Sequence, residues 1–520
     1  MPLAMEVLFG PPGTGKTTEL SRLTRQYVEQ EGSDTVVLCS YTRAGARELA
    51  GRDLPLGPHQ IGTLHALCYH GLDRPTIAEA KYKDWNEAYP EYPISPPQSM
   101  AVASLDPGDR PKLFGDECLQ MCSVLRNQLM SVTRWSEALL PFWTAWQAWK
   151  SAHGYLDFTD LIDRASTVLP VAPGHPRTLI VDEAQDLSLL QWRLIRQWGQ
   201  HTDRVLAAGD DDQCLYSWSG ADFHPLLVAP HKRVLGQSYR VPQSIQAQAL
   251  RYSEAIKDRE PKVWRPRAIT GTMRETPGTW ETSRQWLSQI LTWLEEPWGT
   301  AMCIAPCRYM LEPLLLALRQ EGIPFSNRWR RPQHEWNPLH PPPRGIGIVR
   351  RLCDFLRPAD RLWTWQELAT WLPLIRSDGV LIRGAKTQVA LHAEEPHICT
   401  LAQLEAVFQP DSLPGAVQGG LAWFEDHLLQ SQAKGAAYPL RVYRRGGIAA
   451  LREEPRVTIG TAHSVKGAEA DHVLFFTDLA RAQAQALSEG GPEADNVYRM
   501  LYVGATRARE TLLLVGPCHA

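Results

Sequence analysis

Gly10-Pro-Pro-Gly-Thr-Gly-Lys-Thr17 follows the apolar run Met5-Glu-Val-Leu-Phe9 and precedes a helix-compatible stretch from Thr18 to about Gln30. The order reads strand, loop, helix. Gly10, Gly13 and Gly15 give the backbone conformations closed to residues with a side chain, so that loop N–H groups can converge on phosphate oxygens at a helix N-terminus. Thr14 and Thr18 belong to the same cradle. Lys16 adds a point charge for the β- and γ-phosphates, and the Thr17 hydroxyl is placed to ligate Mg²⁺. A Gly/Pro-rich turn that matches by chance is the rival reading, and the strand and helix flanks argue against it. The loop alone does not say what the energy is for.

A second chemical centre is Thr178-Leu-Ile-Val-Asp-Glu-Ala-Gln-Asp186. An apolar strand delivers Asp182 and Glu183 at its C-terminal end, where open parallel sheets place their ligands. Asp182 suits Mg²⁺, and Glu183 suits orienting and deprotonating a water. Further along, the strand Arg204-Val-Leu-Ala-Ala208 leads into Gly209-Asp-Asp-Asp-Gln-Cys-Leu-Tyr-Ser-Trp-Ser-Gly-Ala-Asp222. There Gln213 can sense a γ-phosphate while Tyr216 and Trp218 offer a stacking surface. Val234 to Pro242 reads as a strand ending in Tyr239-Arg240, a pair suited to purine stacking and phosphate contact.

The surrounding composition is globular. Of 520 residues 44% are hydrophobic and 21% charged, which calls for two to four domains, and no apolar run is long enough for a bilayer. The start has no basic segment ahead of an apolar one, so a soluble cytoplasmic protein is expected. The ten Cys form no disulfide framework, and Cys118/Cys122 and Cys303/Cys307 are spaced one residue too widely for a zinc knuckle. They read as reduced packing residues. A net charge of −3 means that nucleic-acid contact has to come from local basic patches and aromatic platforms.

From about Gly71 to Tyr155 the pattern is helical with Pro-rich breaks. Trp135, Leu139, Phe142, Trp143, Trp146 and Trp149 recur at helix-face spacing, which predicts a packed core stripe. A second α/β stretch predicts a long helix around Ser283 to Leu294 and a strand at Thr300 to Ala305. Arg328 to Gly447 is Trp-, Pro- and Arg-rich and mostly helical in pattern; Arg328-Trp-Arg-Arg331 reads as a solvated turn sooner than a backbone contact. The last block runs from Arg456 through Thr461, His463 and Glu469 to Phe476, then to a helix with a row of Arg, among them Arg507, and the strand Thr511 to Val515.

Together these blocks resemble a superfamily 1A DNA helicase of the UvrD/Rep/PcrA kind over nearly the whole chain. Gly10–Thr17 is similar to motif I, Ser40–Ala46 to Ia, Thr63–His65 to Ib, Asp182–Gln185 to II, Gly209–Ala221 to III, Gln237–Arg240 to IV, Thr461–Glu469 to V and Tyr498–Ala508 to VI. The resemblance implies an α/β fold of two RecA-like P-loop NTPase domains with two mainly helical insertions: 1A over 1–70 and 156–230, 1B over 71–155, 2A over 231–327 and 448–520, and a reduced 2B over 328–447. It implies ATP and Mg²⁺ as cofactors, with Lys16, Thr17, Asp182 and Glu183 binding and hydrolysing the nucleotide, Gln213 reading the γ-phosphate, and Arg240 and Arg507 as arginine fingers. Tyr239 is then the adenine-stacking aromatic and Glu469 a contact to the sugar edge. Tyr41, Thr42, Arg43, His65, Tyr216, Trp218, Thr461 and His463 match positions lining a single-strand track.

The implied partners are single-stranded DNA, its junctions with duplex, and a nuclease or a replication or repair factor. The first strand begins too early for an upstream adenine-reading Gln motif, so a looser preference for ATP is expected. The chain stops soon after motif VI, so neither a C-terminal partner-binding tail nor a nuclease domain is expected. Two rival functions remain at this point: a DNA-end sensor or regulatory ATPase subunit, and a AAA+ remodeller, which would form rings and borrow a finger from a neighbouring subunit.

Overall fold

The computed structural model describes residues 5–96, 113–327, 337–342, 345–357, 361–418, 420–517 and 519, with the side chains of Arg43 and Ala44 outside that description. The Arg328–Arg331 run also lies outside the described residues.

Six short strands form the first sheet: β1 (Met5–Phe9), β2 (Val36–Ser40), β3 (Ile61–Thr63), β4 (Thr178–Asp182), β5 (Arg204–Gly209) and β6 (His231–Val234). Their order is β3-β2-β4-β5-β1-β6, with every pairing parallel. β1, β2 and β4 are apolar almost throughout because both sheet faces are covered, as parallel sheets require. Val7, Phe9, Val37, Cys39, Leu179 and Val181 pack to one side. Leu8, Val36, Leu38, Ile180 and Leu206 alternate to the other, against Leu20, Leu23 and Tyr27 of α1 (Lys16–Glu31).

The second sheet has the order β7-β12-β11-β8-β10-β9, from β7 (Thr272–Thr276), β8 (Ala301–Ala305), β9 (Phe325–Asn327), β10 (Val457–Thr461), β11 (Ala470–Phe476) and β12 (Ala508–Val515). β12 runs parallel to β11 and β7, and β10 to β9. The expected α/β class with two parallel sheets is therefore present. Two local expectations change. The long helix near 283–294 is a 3₁₀ stretch, Trp280–Trp286, followed by a helix only from Leu287 to Glu295. The strand before Tyr239 ends at Val234, which leaves Tyr239 and Arg240 on a loop.

By contacts the chain separates into two compact units, 1–279 with 304–309 and 461–520, and 280–303 with 310–460. The first carries the helical segment after β3. Trp85, Phe142 and Trp146 are fully buried there, Trp135 and Trp149 nearly so, and Leu139 and Trp143 pack against them, as the stripe predicts. The second unit holds a string of helices from Ile348 to Arg452 around a separate aromatic core, with Phe355, Trp363 and Trp371 each about 5–6 Å from the next ring centroid. All nine described cysteines are buried. Among the described residues no helix is long and apolar enough to cross a membrane.

Candidate nucleotide and nucleic-acid site

The described motif side chains all belong to the first unit. β1 ends at Phe9, and Gly10 ties the loop to the neighbouring strand end by donating its N–H to the Gly209 carbonyl (2.9 Å). Thr14 closes the turn through its N–H and hydroxyl, both on the Pro11 carbonyl. Gly13 and Gly15 sit at φ 70° and 77°, and Gly15 is the N-cap of α1, whose first residue is Lys16.

Lys16 Nζ lies 2.6 Å from Glu183 Oε1 and 3.9 Å from Asp182 Oδ1. Burial alone would lower the Lys16 pKa, but the two carboxylates hold it above its ordinary value. Burial would likewise raise Glu183, and the charges of Lys16 and then Lys466 hold it down at about 2. Asp182 differs: burial, opposed by Lys16 and reinforced by Glu183, lifts it to about 7. Its Oδ1 is buried without a hydrogen-bond partner. A hard, orphaned carboxylate oxygen near the Thr17 end of the loop fits a divalent cation such as Mg²⁺. Glu183 has φ 53°, a left-handed conformation costly for a non-glycine residue and characteristic of functional turns.

The C-terminal motifs close on this centre. Arg507 is buried, donates Nε to the Val503 carbonyl (2.8 Å) and Nη2 to Gln213 Oε1 (3.1 Å) across 294 residues of sequence. Burial, then the nearby charge of Arg240, lowers its pKa to about 9. Arg240 pairs through Nε with Glu469. Tyr239 is 72% exposed, with Cε2 4.0 Å from where a Cβ on Gly15 would stand, so its ring is open to a base. Thr18 is also exposed, and its hydroxyl accepts from Arg52 (3.1 Å).

The track residues divide. Tyr216 is buried, with the rings of Tyr41 and His463 at 5.9 and 6.3 Å from its own. Burial, then Lys466, keeps His463 neutral with a pKa near 4. Thr461 is buried and caps the Ser464 N–H, while Thr42 caps the helix Arg43–Ala50 through the Gly45 N–H. Trp218 is half-buried and its indole N–H has no hydrogen-bond partner. His65 stands edge-on to Phe158 (6.4 Å). The Arg43 side chain lies outside the described residues.

Three residues in the quoted stretches received no role from sequence. Lys466 Nζ bridges Asp186 (2.8 and 2.6 Å) and the Gln213 carbonyl (2.6 Å), 5.2 Å over the Tyr216 ring, so one ammonium of motif V reaches motif III and the residue that follows motif II. Ser238 pins the Tyr239 loop to the phosphate loop by donating to the Pro12 carbonyl (2.8 Å). Gln185 donates to Glu183 Oε2 (2.6 Å). A polar residue within a motif was the only available signal for each.

The sequence profile of the UvrD/REP helicase N-terminal domain matches residues 5–232. The chain is 26% identical over 285 residues to the ATP-dependent DNA helicase PcrA of Bacillus subtilis, covering 49% of this chain and 38% of that protein. Two Mycoplasma pneumoniae proteins, a probable DNA helicase and a probable DNA helicase II homolog, are 24% and 23% identical over 294 and 248 residues, covering 50% and 42% of this chain. The matches span 54% and 34% of those two proteins, so the chain covers about a third to a half of these relatives' length. These matches uphold the resemblance to the UvrD/Rep/PcrA family.

Proposed function

We propose that this chain is an ATP-dependent DNA helicase or translocase that moves 3′ to 5′ on single-stranded DNA, with domains 1A, 1B, 2A and 2B bounded as the motifs suggest. The observation that carries the reading is Arg507 on Gln213, in the same unit as the Lys16–Glu183 pair. Fingers supplied within one chain fit this motor and not a ring remodeller.

Thr17 and Asp182 would hold Mg²⁺, which neutralises charge on the β- and γ-phosphate oxygens when bound. The protein's own steps follow from the geometry. Lys16 exchanges its bond to Glu183 for phosphate oxygens, which frees the Glu183 carboxylate to orient and deprotonate the attacking water. Arg507 and Arg240 stabilise the charge that develops in transfer. Lys466, shared by Asp186, Gln213 and the Tyr216 ring, supports coupling between hydrolysis and grip on unpaired bases, for which Trp218 and Tyr41 supply aromatic faces. We place this action in the cytoplasm, beside a repair or replication factor.

The test is the ATPase rate with and without single-stranded DNA, then unwinding of 3′- and 5′-tailed duplexes. Stimulated hydrolysis and displacement from the 3′-tailed substrate are expected. Hydrolysis on DNA without strand displacement would leave the end-sensor reading instead.

A further inference from the structure

One fully buried cation stands behind the phosphate-facing residues. Lys262 Nζ is enclosed by three carboxylates, at 3.1 Å from Asp210, 2.5 Å from Asp211 and 3.0 Å from Asp212. Arg259 holds Asp212 through two hydrogen bonds (2.7 and 2.6 Å). Three anions thus share two cations; Arg259 fixes Asp212 and the Glu260 N–H fixes the second oxygen of Asp211 (2.7 Å), so Asp210 is the carboxylate left for the ammonium to orient.

The consequence reaches the site through a single amide. Asp210 presents Oδ1 to Lys262, while its Oδ2 accepts from Gln213 Nε2 (2.7 Å). A glutamine amide has one donor side and one acceptor side. With Nε2 held by Asp210, Oε1 is turned to Arg507, which donates to it at 3.1 Å. The order is cation, anion, amide, cation, and reversing the amide would set its NH₂ against a guanidinium. Arg499 ties the helix Pro492–Ala505, which ends two residues before Arg507, to the same cluster by donating to the Asp211 carbonyl (3.0 Å).

We infer that Lys262 is a positioning residue that fixes the polarity of the Gln213 amide through Asp210, so that Gln213 and Arg507 respond to a γ-phosphate as one unit. This rests on the ATPase reading. Lys262 acts on Arg507 only through Asp210 and Gln213.

Asp210→Asn tests it. With Lys262 present, the single carbonyl oxygen of Asn turns to the ammonium and its NH₂ faces Gln213, which must then reverse and present its own NH₂ to Arg507. The expected result is a fall of about tenfold in kcat for DNA-stimulated ATP hydrolysis, as for other lost outer partners, with KM for ATP unchanged. The ratio of ADP to non-hydrolysable ATP-analogue dissociation constants should fall toward one. Adding Lys262→Met restores the cluster's wild-type net charge and lets Asn turn its oxygen to Gln213, so the double variant should recover both kcat and the ratio. A double variant worse than Asp210→Asn would mean a merely structural role, and an unchanged ratio in Asp210→Asn would overturn the inference outright. Failure of the ATPase reading looks different: the wild-type chain would not hydrolyse ATP, while the binding ratio would still report on the relay.

Discussion

Two buried regions of the first unit meet the cost of burial in opposite ways. Between β3 and β4, Trp85, Phe142, Trp146 and Trp149 fill space with rings 4.8–6.2 Å apart, and the charges there, Lys150, Arg126, Asp157 and Asp160, pair among themselves at the start of the helix Phe158–Val168. At the strand ends, Lys16, Glu183, Asp186, Gln213, Lys466 and Arg507 form a chain of paired charges and hydrogen bonds drawn from both ends of the sequence. The first region is made for stability. In the second, the Lys16–Glu183 bond is one that substrate phosphate oxygens would replace.

The largest effect expected from that contrast is on chemistry alone. Arg507→Ala should lower ATP turnover by about 10³- to 10⁵-fold while nucleotide binding persists; near-normal turnover would dissolve the distinction between the regions. Trp146→Ala should do the reverse. Removing a fully buried ring that also donates to Asp157 (3.0 Å) costs about 3–5 kcal/mol and should appear as a lowered Tm, with ATP binding intact at low temperature.

A third test asks whether charge in the aromatic region carries a pH signature. Burial, reinforced by Asp157, lifts the Glu79 carboxyl from 4.5 to about 8. The folded chain then keeps a proton that the unfolded chain releases, so this group's contribution to stability falls as pH rises from about 4.5 to 8. Glu79→Gln should flatten that slope in Tm measured across the range; parallel slopes would refute the assignment.

The smallest effect sharpens the contrast, because it concerns a tryptophan outside the packed core. Trp218→Ala should weaken single-strand stimulation by about 1–3 kcal/mol in DNA affinity while basal ATPase and Tm change little. A Tm loss like that of Trp146→Ala would make Trp218 a core residue.

How much of this could be read beforehand follows the same division. Continuous apolar strands with Gly- and Asp-bearing ends made the parallel sheets and Lys16, Asp182 and Glu183 legible, because local pattern determines both. The Trp135–Trp149 stripe was legible for the same reason. Partners set by long-range closure were not. Nothing around Lys262 in Glu260-Pro-Lys-Val-Trp264 announces the three aspartates at 210–212, and the spacing of Tyr216 cannot tell an exposed platform from a buried ring near Tyr41 and His463. Ser283 to Leu294 read as one long helix, whereas the backbone is 3₁₀ as far as Trp286, with a non-helical step at Thr282, and α-helical only from Leu287.

Gly13 faces the loop that carries Arg240, and a Cβ there would stand 2.3 Å from the Arg240 Cβ and 2.9 Å from Ser238 Oγ. The missing methyl is therefore the clearance that lets the Arg240 loop seat against the phosphate loop. Alanine at this position would act as a wedge, pushing one finger back from the phosphates while every charged group stayed in the protein.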